Sequence, residues 1–286
     1  MSITRRKFLQ TGSLLTAAGL MNLNKVFAGN AVLKNYGLQL WTVKEDMAKD
    51  PQGVLKQVAS FGYTQIESFE GGKGMFWGIT PADFKKYVSS LGMTAVSSHC
   101  NDIYKESFEK KAADSAEAGL KFLISPSESG AKTIDDYKKL ANRFNECGAI
   151  CKKNGLLFGY HNHDAIFKPI DNQIPMELLL DSTDKDTVVF EMDIYWVVTA
   201  GADPVAYLKK YKNRFRLGHV KDRIKNASEH DASCILGEGS IDFPKILDEA
   251  KEKGMEYFIV EQENYENTTP LLAAKADADY LKNFRF

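Results

Sequence analysis

Beyond residue 30 the chain alternates short, nearly all-apolar runs with longer amphipathic ones. Short apolar runs suit strands buried on both faces, so the alternation predicts βα units around a parallel sheet. Strands are expected over Tyr36–Thr42, Gln65–Ser68, Thr94–His99, Phe122–Pro126, Leu156–His161, Val188–Asp193, Arg216–Val220 and Tyr257–Glu261. The helices between them carry stop and start signals. Thr80-Pro81 followed by Asp83, and Asp203-Pro204, read as N-caps with proline in the first helical position. Gly62, Gly92, Gly119, Gly155 and Gly254 each fall just before an expected strand, where a left-handed C-cap would turn the chain back into the sheet. A doubly wound open sheet would share these local signals. The count of eight strands is what predicts an α/β fold with a single (β/α)₈ TIM barrel.

Length and composition fit that reading. The chain has 286 residues, and without an N-terminal segment the remainder is close to the ~250 residues of one such barrel. Lys+Arg number 37 against 38 Asp+Glu, a net charge of -1. No global field would attract a polyanion, so nucleic acid is not an expected partner. Residues 1–28 stand apart from the rest. Arg5-Arg6 precede an apolar stretch from Leu14 to Leu20, and Val26-Phe27-Ala28 offers a small-residue cleavage site. This resembles a twin-arginine export signal, which implies a periplasmic or otherwise exported protein. The apolar run is shorter than the ~20 residues of a membrane-spanning helix. The barrel is expected over residues 29–286, with no membrane association once the signal is removed.

Three long loops are expected at the C-terminal mouth of the barrel: Gly71–Ile79, Asp164–Pro175 and Arg223–Ile241. The strands feeding that mouth end in polar groups that a doubly buried strand should not carry without cause. They are Glu67, His99, His161-Asn162-His163-Asp164, Glu191-Met192-Asp193, His219-Val220-Lys221-Asp222 and Glu261-Gln262-Glu263. Side chains alternate along a strand, so parity groups Glu191 with Asp193, His219 with Lys221, and Glu261 with Glu263. His161, Asp193, His219 and Glu261 then aim at one centre. Mixed nitrogen and oxygen donors suit one divalent ion, Mn²⁺, Zn²⁺, Co²⁺, Fe²⁺ or Mg²⁺, rather than Ca²⁺. Singly, each has a plainer explanation: a histidine at a strand end is more often hydrogen-bonded than metal-bound, and Asp222 would cap a loop or pair with Lys221. Four at equivalent positions favour a site. Trp41, Trp77 and Trp196 near the mouth offer faces for sugar C–H groups, with His99 and Glu191 as further polar contacts, although packing under loops accounts equally well for any one tryptophan.

In order along the chain, Gly37-Leu38-Gln39-Leu40-Trp41, Ile66-Glu67, Ser98-His99, Tyr160-His161-Asn162-His163-Asp164, Glu191-Met192-Asp193, His219-Val220-Lys221-Asp222, Leu236-Gly237-Glu238-Gly239 and Val260-Glu261 resemble the sugar phosphate isomerase/epimerase family with its xylose isomerase-like barrel. The resemblance implies one divalent metal, with Asp193, His219 and Glu261 on usual ligand positions. Many ketose epimerases carry a glutamate where this chain has His161, so a two-glutamate mechanism does not transfer. Abstraction of an α-proton from a small carbohydrate is implied, the metal stabilising an enediolate. Glu261 is the base by analogy, with Glu67, Lys221 and His163 as alternatives. Reprotonation gives isomerisation or epimerisation, and loss of a β-substituent makes a lyase acting on 3-keto-glycosides. A non-catalytic carbohydrate-binding barrel is the reading from another class, and an endonuclease of related fold is disfavoured by charge.

Overall fold

The computed structural model describes residues 31–127 and 130–286. The export segment proposed for residues 1–28 lies outside the described residues. Eight parallel strands close into a barrel: β1 (Gly37–Gln39), β2 (Gln65–Phe69), β3 (Thr94–His99), β4 (Phe122–Ser125), β5 (Leu157–His161), β6 (Val188–Asp193), β7 (Phe215–Val220) and β8 (Tyr257–Val260). β1 closes the ring by pairing with both β2 and β8, Gly37 standing opposite Gln65 on one side and Ile259 on the other. Each crossover carries an outer helix: α1 (Pro51–Phe61), α2 (Pro81–Ser90), α3 (Ser107–Glu117), α4 (Ile134–Lys153), α5 (Pro175–Ser182), α6 (Pro204–Lys210), α7 (Phe243–Glu252) and, after β8, α8 (Pro270–Lys282).

The punctuation behaves as its chemistry demands. Thr80 accepts the Asp83 N–H at the start of α2, and Asp203 accepts that of Val205 at the start of α6. All five helix-ending glycines adopt positive φ, from 75° at Gly155 to 102° at Gly62 and Gly254. Gly148 has a different task. A Cβ there would lie 2.6 Å from Thr187 Oγ1, so its bare Cα lets α4 seat against the start of β6. Gly148→Ala gains helix propensity but forces this contact apart, and a net loss of ~1–3 kcal/mol is expected in urea denaturation. A more stable variant would show that the contact relaxes freely.

Inside the barrel Val96, Phe122, Ile124, Val189, Leu217, Tyr257 and Ile259 form an apolar plug. Register explains what lies above it. Paired residues of a parallel sheet face the same side, so Asp193 beside His219, and His219 beside Ile259, all point inward. β3 needs a bulge to do the same. Its register with β2 slips at Ile66/Glu67, which puts both Val96 and, three residues later, His99 on the inner face.

Two expectations are corrected. The first strand stops at Gln39, whose side chain accepts the Trp41 N–H and starts a 3₁₀ turn over Leu40–Val43, so Trp41 stands in that turn and not on a strand. The expected Arg223–Ile241 loop is not irregular throughout. Asp222–Arg223 pairs antiparallel with Ser233–Cys234, and the Asp222 carboxylate accepts the N–H groups of Gly237, Gly239 and Ile241. Asp222 thus organises the loop, while Lys221 pairs elsewhere.

A second carboxyl holds the same loop from below. Asp277 of α8 is buried and accepts the Leu236 N–H, while its Oδ2 has no hydrogen-bond partner among the described residues. Burial, reinforced by Asp222 and Glu238, pushes its pKa up to about 8. The unfolded carboxyl titrates near ~3.9. Between these values the folded chain keeps a proton that the unfolded chain has lost, so this contribution is complete below pH ~4 and disappears as pH rises to about 8. Asp277→Asn should flatten the fall in unfolding free energy across that window, by up to ~1.4 kcal/mol per pH unit. Denaturation curves at several pH values would show it, and identical slopes in both proteins would refute it.

Candidate active site

The inward-facing strand ends build one buried cluster at the C-terminal mouth. Glu67, His161, Glu191, Asp193, His219 and Lys221 are almost wholly enclosed, and His99 and Glu261 are nearly so. His219 is the hub. Its Nδ1 lies 3.3 Å from Glu261 Oε2 and 3.8 Å from Asp193 Oδ2, while its Nε2 lies 2.8 Å from Glu67 Oε1. His161 repeats the pattern, with Nε2 at 4.0 Å from Asp193 Oδ2 and Nδ1 at 3.2 Å from Glu191 Oε2. His99 Nε2 bridges Glu191 at 2.9 Å and Glu67 at 3.2 Å, and Gln39 Nε2 donates to Glu67 at 2.7 Å.

Two sets of donor atoms, overlapping at His219, converge closely enough to share an ion: Asp193, His219 and Glu261, and His99, His161, Glu191 and His219. Three carboxylate oxygens, Glu67 Oε2, Glu191 Oε1 and Asp193 Oδ2, are buried without a hydrogen-bond partner among the described residues. Leaving such groups unsatisfied is costly. In both His161 and His219 one ring nitrogen faces Asp193 and the other meets a carboxylate, Glu191 or Glu67. That is how metal-binding imidazoles are held, the outer acid fixing tautomer and ring orientation.

The charges interlock. Burial opposes ionisation of Glu67, but His99 and His219 hold its pKa well below the usual carboxylate range. Burial likewise works against Glu261, and Lys221 with His219 overrides it to keep that pKa low. Glu191 is pushed up to about 7 by burial and by Glu67. Burial and the neighbouring His219 drive His161 well down, leaving the neutral imidazole that a metal requires.

A cavity of about 270 Å³ opens above the cluster, with His99, His161, His163 and Glu261 in its wall and Trp41 and Phe69 at its rim. Other residues singled out in the sequence fall elsewhere. Glu67 and Glu191 lie behind the histidines, outside the cavity wall. Lys221 is enclosed between Glu261 and Glu263, its ammonium 5.0 Å from the Tyr195 ring centre and 4.9 Å from that of Trp196. Trp196 is buried between His163 and His230. Trp77 packs edge-on against Phe69 and donates to Ser68, and it too stays out of the wall. Glu70 and Asn101 line the cavity but carried no signal beyond following strand ends.

A closed (β/α)₈ barrel with a buried cluster of histidines and carboxylates at its C-terminal mouth defines the class of fold, and comparison with known proteins gives the family. Residues 55–284 match the family described as xylose isomerase-like TIM barrel, and the chain belongs to that family. A sugar phosphate isomerase/epimerase from Parabacteroides distasonis is 32% identical, with a TM-score of 0.76 over 88% of this chain and 94% of that one. A second from the same organism is 29% identical, with a TM-score of 0.77 over 88% and 98%. An inosose dehydratase of Clostridium perfringens is 32% identical over 146 residues, 45% of this chain and 48% of that protein. The chain thus spans about half the length of the curated relatives it matches.

Proposed function

We propose that the protein is a divalent-metal-dependent enzyme that removes the proton beside the carbonyl of a keto sugar, for isomerisation or epimerisation. The observation that carries this reading is the arrangement of His161 and His219, each with one nitrogen toward Asp193 and the other backed by a carboxylate. The donor set fits Mn²⁺, Zn²⁺, Co²⁺, Fe²⁺ or Mg²⁺. His161 Nε2, Asp193 Oδ2, His219 Nδ1 and Glu261 Oε2 would hold the ion. When bound, it would supply Lewis acidity toward a carbonyl and its neighbouring hydroxyl.

The chain's own groups do the rest. Glu261 stands in the cavity wall with Oε2 committed to His219 and Lys221, leaving Oε1 to receive the α-proton. Lys221 keeps that carboxylate ionised before transfer. Trp41 offers a ring face to the sugar, and the enclosing wall limits water around the reacting carbons. A second reading, β-elimination, is favoured by the inosose dehydratase relatives. For it His163, in the wall beside His161, would donate the proton that the departing group needs.

The test is deuterium incorporation. Metal-loaded protein in D₂O should exchange the α-proton of a free ketose, an inosose or a 3-keto-glycoside, followed by ¹H NMR. A product carrying a new double bond would choose elimination, and no exchange with any of these compounds would refute the proposal.

A further inference from the structure

We infer that the cavity selects an uncharged sugar unit and turns away phosphorylated and carboxylated ones, an inference that rests on the keto-sugar reading above. Three carboxylates, Glu70, Glu261 and Glu263, stand in the wall, and no lysine or arginine is among the described residues that line it. The ammonium groups nearby are already committed. Lys221 is fully buried against Glu261 and Glu263. Lys111 lies 2.7 Å from Glu70 Oε2 and donates to the Asn101 carbonyl at 2.7 Å. Lys44 stands 4.0 Å from the centre of the Trp41 ring.

The reacting carbons of a bound sugar must face Glu261 and the histidines, so its far end lies at the rim. There a phosphate would meet the Glu70 and Glu263 carboxylates without a free guanidinium or ammonium to pair with, and juxtaposed like charges are strongly disfavoured. Hydroxyl groups fare better, because carboxylates accept their hydrogen bonds. The rim also presents a fixed apolar surface. The Trp41 indole N–H donates to Glu263 at 3.1 Å, its ring stands nearly perpendicular to that of Phe69 with centroids 5.0 Å apart, and Lys44 lies 4.0 Å from its centre, so the indole is held in place where the C–H face of a sugar ring can meet it.

Isothermal titration of Mn²⁺-loaded protein would compare D-fructose, D-psicose, scyllo-inosose and methyl 3-keto-β-D-glucopyranoside with D-fructose 6-phosphate, D-psicose 6-phosphate and D-fructuronate. At least one uncharged probe should bind roughly 10-fold or more tighter than every anionic one. Glu70→Gln, which releases Lys111 from its carboxylate, should narrow that gap by roughly 10-fold. An anionic probe that binds as tightly as the best uncharged one, or no binding by any uncharged probe, would overturn the inference. So would a gap untouched by Glu70→Gln, since the rim acids would then not set it. Deuterium exchange separates this from the reading beneath it. Exchange with phosphorylated ketoses would leave the α-proton chemistry standing while the selectivity fails. Selective binding without exchange by any probe would leave the selectivity standing while the chemistry fails.

Discussion

Glu261→Gln is expected to slow α-proton exchange by roughly 10²- to 10⁴-fold, the range that a positioned base contributes. Glutamine keeps the shape and can still place an oxygen toward His219, but it cannot take a proton. It also removes the negative charge that lies 3.4 Å from the Lys221 ammonium, and Glu263 remains to hold that lysine in place. Because Glu261 is also assigned as a ligand, the comparison belongs at saturating Mn²⁺, where a weakened metal site no longer limits the rate. Exchange within a few-fold of the unaltered protein under those conditions would remove Glu261 from the role of base and point to His163, the other proton-transfer candidate in the wall.

The base role of Glu261 came from family analogy, but the convergence of Asp193, His219 and Glu261 was legible from strand parity, and the reason is local. Above a slip at Phe190/Glu191 the register runs unbroken from Glu191 to Asp193 and from Leu217 to Val220, so alternation carries to Asp193 and His219 and, one residue past its strand, to Glu261. Parity would have failed at His99. Val96 and His99 both face inward although three residues separate them, because the bulge opposite Ile66/Glu67 resets the alternation, and a bulge leaves no mark on one strand's pattern. The first strand was overestimated for a similar reason. Leu38, Leu40 and Val43 are all buried, yet the Gln39 side chain captures the Trp41 N–H and tips the chain into a 3₁₀ turn. Glycine caps were easy to read because a left-handed backbone demands little else of its surroundings.

Tertiary placement was the least accessible feature. The sequence puts Trp41 at the end of the first strand and Trp77 in the second loop, both near the mouth and both candidates for a sugar face. In the structure both meet Phe69 nearly at right angles, but Trp41 is 37% exposed whereas Trp77 is buried with positive φ, its N–H tied to Ser68. Only the outer one meets the cavity. Glu70 carries no signal in the sequence, since a glutamate after a strand is ordinarily a solvated residue. Its place in the wall depends on Lys111, 41 positions away, and on the Asn101 N–H, which together hold the side chain.

His219→Gln and Glu67→Gln, taken together, should rank the two overlapping donor sets. If Asp193, His219 and Glu261 hold the ion, His219 supplies Nδ1 directly and Glu67 acts only through the hydrogen bond to Nε2. Loss of an outer carboxylate costs roughly 10- to 100-fold in metal affinity, so Glu67→Gln should fall in that range and His219→Gln beyond it. Unaltered protein with Mn²⁺ at about 1,000 times its Kd should gain ~4 kcal/mol of stability, read as a rise in Tm, and His219→Gln should lose nearly all of that gain at the same concentration. Asp193→Asn should behave as His219→Gln does, since Asp193 Oδ2 faces both ligating imidazoles. The other set, His99, His161, Glu191 and His219, makes the opposite forecast, with Glu191→Gln abolishing the metal-dependent rise in Tm and Asp193→Asn leaving most of it. A full thermal response to Mn²⁺ in the Asp193 variant would therefore move the centre to the set around Glu191 and take the ligand role away from Glu261.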